Sequence, residues 1–111
     1  MTRSHAYIII YTTFPNLATA KRIVSGLVHF KYVACGNVFK LYSIYRWKGK
    51  IEKEPEYGVL IKTRKSFYKK VETYIQKNHP YDVPEIISWT IERGSSQYLQ
   101  WIEDSTANGK R

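Results

Sequence analysis

A chain of 111 residues with 43% hydrophobic and 24% charged side chains is too apolar to be disordered and long enough for one core, so a single domain is expected over 1–111, ordered at 6–104 and frayed at 105–111. Eighteen Lys and Arg against nine acids give a net charge of +9, a balance that attracts anionic partners or surfaces. One cysteine, Cys35, excludes an internal disulfide and a CxxC zinc site and agrees with a reducing compartment, and the run Tyr7-Ile8-Ile9-Ile10-Tyr11 is too short for a membrane anchor and lacks a cleavage site after it, so the cytoplasm is the expected location.

Ala6 to Thr13 is β-branched and aromatic, the pattern of a central strand covered on both faces. Phe14-Pro15-Asn16 turns the chain, and Asn16 is placed to cap a helix whose apolar positions Leu17, Ala20, Ile23, Val24 and Leu27 follow helical spacing. Val33 to Trp47 and Lys50 to Thr63 read as two strands joined by a reversal at Lys48-Gly49. Taken as continuous strand from Asn37 to Lys48 at about 3.3 Å per residue, this hairpin is about 40 Å long, against a radius of gyration of about 13 Å for a compact chain of this size, so it should bend or project. Phe39, Leu41, Tyr45 and Trp47 lie on one of its faces and Tyr42 and Ile44 on the other, so both faces need cover, which a second copy of the chain would supply. Pro55 and Gly58 predict a break or bulge in the returning strand.

Ser66 is placed to cap a second helix, with Phe67, Val71, Tyr74 and Ile75 along one side and His79-Pro80 at its end. Glu85 to Ile91 reads as a last strand, and Gly94-Ser95-Ser96 as the opening of a short helix with Tyr98, Trp101 and Ile102 on one side. The order βαββαβ plus a terminal helix implies an α+β fold, a ferredoxin-like antiparallel sheet with both main helices on one face and the other face bare.

The densest chemistry lies in His79-Pro80-Tyr81-Asp82-Val83-Pro84-Glu85. Pro80 and Pro84 hold φ near about −65° and push His79 and Val83 out of the helical region, so the segment is a stiff connection. It reads either as a helix stop and strand opening with solvated polar groups, or as a loop that presents His79 and Glu85 to a cation or an anion. His5 and His29 read as surface residues, and Cys35 as a small buried side chain.

Several stretches in order resemble the divalent-cation tolerance protein family CutA. They are Tyr11-Thr12-Thr13-Phe14-Pro15, Ala34-Cys35-Gly36-Asn37, Tyr45-Arg46-Trp47-Lys48-Gly49-Lys50-Ile51-Glu52, Leu60-Ile61-Lys62-Thr63-Arg64, His79 to Glu85, and Tyr98-Leu99-Gln100-Trp101. The resemblance implies a homotrimer similar in plan to the PII signalling proteins, with long hairpins clasping neighbouring subunits. It also implies a role in tolerance of copper and other divalent metals, with His79 and Glu85 as the metal-contacting residues and copper(II) or another divalent cation bound there. A cysteine that one family member carries near the end of the first strand, implied as a copper ligand, is Thr12 here, and a hydroxyl is a poor soft ligand. Trp47, Glu52, Lys62 and Tyr81 match family positions and, with Cys35, are candidates either to line a cleft between subunits or to serve in interface packing and ion pairing.

No Ser-His-Asp order, phosphate-cradling glycine loop or HExxH motif occurs, so an enzyme is not expected. Nucleic acid is disfavoured on the third strand: Tyr57-Gly58-Val59-Leu60 echoes the pattern of RNA-recognition strands, but Glu56 stands where that pattern needs glycine and Lys62 where it needs a stacking ring. The expectation is a cytoplasmic, trimeric, non-catalytic protein of copper tolerance that binds divalent cations weakly and has no membrane partner. The alternative is a PII-like sensor that takes a small anionic effector in the intersubunit clefts, with Lys62 suited to it, and signals to a partner protein.

Overall fold

The computed structural model describes residues 6–107. The expectations for His5 and for residues 108–111 fall outside that range. Strand β1 (Tyr7–Phe14) is followed by helix α1 (Leu17–His29), where the Asn16 side chain accepts the Thr19 backbone N–H at 2.8 Å and closes the first turn. The helix buries Ala20, Ile23, Val24 and Leu27, as its spacing predicts. Strands β2 (Cys35–Trp47) and β3 (Lys50–Arg64) form the hairpin, and the turn between them has Lys48 at φ 50° and Gly49 at φ 80°. Two left-handed residues are what a tight hairpin of right-twisted strands requires.

The register runs without interruption from Cys35 opposite Lys62 to Trp47 opposite Lys50, so the bulge expected at Pro55 or Gly58 is absent. Pro55 lies where β3 has only β2 beside it, because pairing with β1 ends at Phe14 opposite Tyr57. A missing N–H therefore costs least there. Gly58 answers to space: a Cβ on it would lie 2.6 Å from Leu41 Cδ2 and 2.7 Å from Phe39 Cζ. The hairpin does project, and the molecule measures 49 × 26 × 21 Å.

A 3-10 turn (Lys65–Phe67) leads into α2 (Tyr68–Asn78). Ser66 therefore lies within the 3-10 turn and does not cap α2, whose N-cap position is Phe67 with no side-chain bond to the helix. Strand β4 (Ile86–Thr90) pairs with β1, which completes a four-stranded antiparallel sheet in the order β2-β3-β1-β4. Alternation sends Ile8, Ile10 and Phe14 of β1, and Val59 and Ile61 of β3, into one core with Val24 and Leu27 of α1 and Val71 and Ile75 of α2. Both helices thus cover one face.

The opposite face carries Ile87 and Trp89, half-exposed, and among the described residues is covered at one end, where α3 (Ser96–Ser105) packs Leu99 and Ile102 against Tyr7 and Ala34. Only part of the predicted apolar side of α3 is buried. Ile102 is in the core, whereas Tyr98 and Trp101 are 42% and 43% exposed with their rings 5.4 Å apart, and Leu99 takes their place inside. Of the tail expected to fray from residue 105, residues 105–107 are described, and they are ordered. Ser105 ends the helix, and Thr106 is fully buried, its hydroxyl accepting from Arg64 Nε at 2.8 Å and donating to the Ile102 carbonyl at 2.9 Å. Arg64 pairs with Glu103 at 3.3 Å, and Glu103 accepts the Tyr7 hydroxyl at 2.9 Å, which ties α3 to two strands. No helix among the described residues is long and apolar enough to cross a membrane.

Candidate functional site

The loop between α2 and β4 folds back over the end of β1. His79 Nε2–H donates to the Thr13 carbonyl at 2.7 Å, and His79 Nδ1 accepts the Tyr81 backbone N–H at 3.0 Å. An amide must donate and a carbonyl must accept, so these two partners set the tautomer. The ring lies against Phe14 at 4.7 Å between centroids and beside Tyr81 at 4.9 Å. Burial lowers the His79 pKa, while the bond to Thr13 and the nearby Glu56 charge act the other way. His79 is thus a neutral imidazole with both nitrogens engaged inside its own chain.

Tyr81 points its hydroxyl at Glu56, donating at 2.9 Å to Oε2, and Ser43 donates at 2.6 Å to Oε1. Glu56 is 6% exposed and has no ion-pair partner among the described residues. Two hydroxyls in place of water keep this carboxylate solvated. Burial, then the bond to Glu56, holds the Tyr81 phenol well above its usual range, so it stays a donor. Burial and the Glu56 charge also push the Glu85 carboxyl upward, and burial raises Tyr11, with Glu85 and Glu56 adding to it. On the hairpin, Tyr45 donates to Glu54, a bond that pushes the phenol up to about 12.

These groups border an open cleft of about 660 Å³ between the outer half of the hairpin and the His79–Glu85 loop, with Tyr45 and Trp47 on one side and Tyr81, Asp82 and Glu85 on the other. The residues expected in one cleft do not all meet within a chain. Trp47 and Tyr81 line this one, and Glu52 sits beside it opposite Tyr45. Cys35 and Lys62 are paired with each other farther along the sheet, on its bare side. There Lys62 donates to Asn37, and the half-buried Cys35 Sγ lies 3.8 Å from the Tyr98 hydroxyl.

A divalent cation fits a single chain only in part. No group of three or more His, Cys, Asp or Glu side chains able to hold a metal occurs among the described residues. Thr12 Oγ1 is buried without a hydrogen-bond partner among them. Glu85 and Asp82 offer exposed oxygens, but His79 has no free nitrogen lone pair in this arrangement. Glu56, which the sequence marks only as breaking an RNA-recognition pattern, and Ser43, which it does not mark, are further residues of the site. The one available signal was an acid standing immediately before the apolar run Tyr57-Gly58-Val59-Leu60.

Residues 8–105 match the family described as CutA1 divalent ion tolerance protein. The chain is 38% identical to "Protein CutA, chloroplastic" of Arabidopsis thaliana over 91% of its own length but 56% of that relative's. It is 37% identical to "Divalent-cation tolerance protein CutA" of Pyrococcus horikoshii over 89% of its length and 97% of the relative's. Among solved structures, the "Periplasmic divalent cation tolerance protein CutA" of Archaeoglobus fulgidus superposes with a TM-score of 0.89 at 36% identity, covering 90% of this chain and 98% of that one. The CutA1 structure of Oryza sativa also gives 0.89 at 36% identity, over 93% and 95%. A match of this extent in sequence and backbone places the chain in the CutA1 divalent ion tolerance family.

Proposed function

We propose that this protein acts in tolerance of divalent heavy metals, copper above all, as a cytoplasmic, non-catalytic homotrimer of ferredoxin-like, PII-like subunits. The observation that carries the reading is the family match over residues 8–105, with relatives named for divalent-cation tolerance. The cleft supports it chemically. Glu85 and Asp82 present oxygens beside the buried Glu56 charge, and such a site favours a cation. His79 would join as a nitrogen ligand only by releasing the Tyr81 amide from Nδ1, a cost that would make single-chain binding weak, and ligands from a second copy or water would be needed to complete the set.

Calorimetric titration of the metal-stripped protein with Cu(II) and with Zn(II) tests this, run beside Glu85→Gln and His79→Gln. Both variants should lose at least the roughly tenfold in affinity that losing even an outer-sphere partner costs. Titration curves unchanged in both would sink the assignment of this loop to metal.

A further inference from the structure

We propose that the layer formed by α1 and α2, on the covered face of the sheet, binds single-stranded nucleic acid. The chain's net charge is not evenly distributed, although the hairpin at 35–64 holds as many Lys and Arg as the helix layer. Residues 17–34 and 65–78 hold seven Lys and Arg and one acid, Glu72. Five of the nine acids lie instead on the hairpin and the His79–Glu85 loop: Glu52, Glu54, Glu56, Asp82 and Glu85. On the helix layer Lys21, Arg22, Lys31, Lys65 and Lys77 are exposed and have no carboxylate partner among the described residues. A field of one sign over two adjacent helices is an electrostatic footprint for a polyanion.

Rings lie among these cations. Phe30, just beyond the end of α1, is 41% exposed; its centroid is 5.7 Å from Tyr32 and 6.3 Å from Tyr74, with His29 edge-on at 5.1 Å. Lys70 stands over the rings of Tyr32 at 5.4 Å and Phe67 at 4.8 Å. An exposed ring beside lysines offers a base a stacking platform and its phosphate a counter-charge, the pairing that single-strand binders use. A duplex hides its bases from such a ring. A bilayer surface fits less well, since Leu17 and Val28 are the large apolar side chains exposed on α1 itself and stand about three turns apart, not in a continuous apolar stripe.

The layer is separate from the strand whose RNA-recognition pattern is broken by Glu56 and Lys62. It also lies on the opposite side of the sheet from Ile87 and Trp89, so a second copy covering those residues would leave it in solvent.

The test is fluorescence anisotropy of short labelled oligouridylate and oligothymidylate with the full-length protein. Binding should weaken roughly tenfold or more between about 50 and about 200 mM salt. The combined change Lys21→Glu, Arg22→Glu, Lys77→Glu should cost about tenfold or more, and Phe30→Ala about fivefold or more. An equal charge reversal on the hairpin, Lys40→Glu, Lys50→Glu, Lys53→Glu, should leave affinity within about twofold. Absence of binding at about 100 mM salt would overturn the proposal, as would equal losses in the two charge-reversed variants or full affinity in Phe30→Ala. Capture by phosphatidylserine vesicles with none by oligonucleotides would replace it with a membrane surface.

Discussion

The imidazole of His79 can satisfy the Thr13 carbonyl and the Tyr81 amide together only while it is neutral, with its proton on Nε2. A second proton on Nδ1 would face an N–H. Burial accordingly lowers the folded-state pKa below that of the unfolded chain. The unfolded state then takes up protons first as pH falls, so the stability from this residue is complete above about pH 6.5 and is lost as pH falls through the histidine range. Glu85 has the opposite sign: its raised carboxyl adds stability at acid pH and loses it as pH rises through the folded value. Urea midpoints at pH 7.5 and 5.5 should therefore fall more in the wild type than in His79→Gln, which keeps an amide at that position but cannot titrate. His79→Gln should also be less stable at pH 7.5, by about 1–3 kcal/mol, through imperfect partners for Thr13 and Tyr81. Equal pH slopes in the two proteins would show that the ring is not a proton-linked clamp.

Among the elements, Gly36 sets how closely α1 approaches the sheet. A Cβ there would lie 2.9 Å from Val24 Cγ1 on the helix and 3.2 Å from Val59 Cγ1 on the neighbouring strand. Both neighbours are β-branched and stiff at χ1, so neither can swing aside without moving backbone. Gly36→Ala should destabilise by about 1–3 kcal/mol by overpacking, despite the smaller entropy of an unfolded alanine; a urea midpoint equal to or above wild type would contradict this. Elements with local causes were legible in the chain. The Asn16 cap, the α1 stripe, the tight turn at Lys48-Gly49 and the stiffness supplied by Pro80 and Pro84 all depend on residues near one another in sequence. What escaped depends on distant partners. Ser66 has the chemistry of a cap, but the chain enters α2 through a 3-10 turn; Tyr98 and Trp101 are apolar enough for a core, yet α3 meets Tyr7 and Ala34 through Leu99 and Ile102. The same holds at the site, where His79 Nε2 is engaged by a carbonyl 66 residues away, and Glu56 becomes a buried charge only when Ser43 and Tyr81 converge on it.

For the whole molecule, the hairpin leaves apolar surface that one chain does not cover. Tyr42 and Ile44 share a face with Ile51, which stands opposite Arg46, and the three are 63%, 63% and 61% exposed. The other face is occupied by polar pairs, Ser43 with Glu56 and Tyr45 with Glu54. An edge with one bonded face and one bare apolar face invites a second chain against the bare one. Because Ile44 and Ile51 are mostly exposed in the monomer, replacing both with Asp removes little intrachain packing and should cost the monomer fold less than about 1 kcal/mol. Between copies, however, each would bring an unpaired charge into a desolvated contact, at several kcal/mol per site. Sedimentation equilibrium should then give three times the chain mass for wild type and a single-chain mass for Ile44→Asp/Ile51→Asp, with the circular dichroism spectrum unchanged. If the variant keeps the wild-type mass, the hairpin is not what holds the assembly, and the remaining bare surface is the sheet face bearing Ile87 and Trp89.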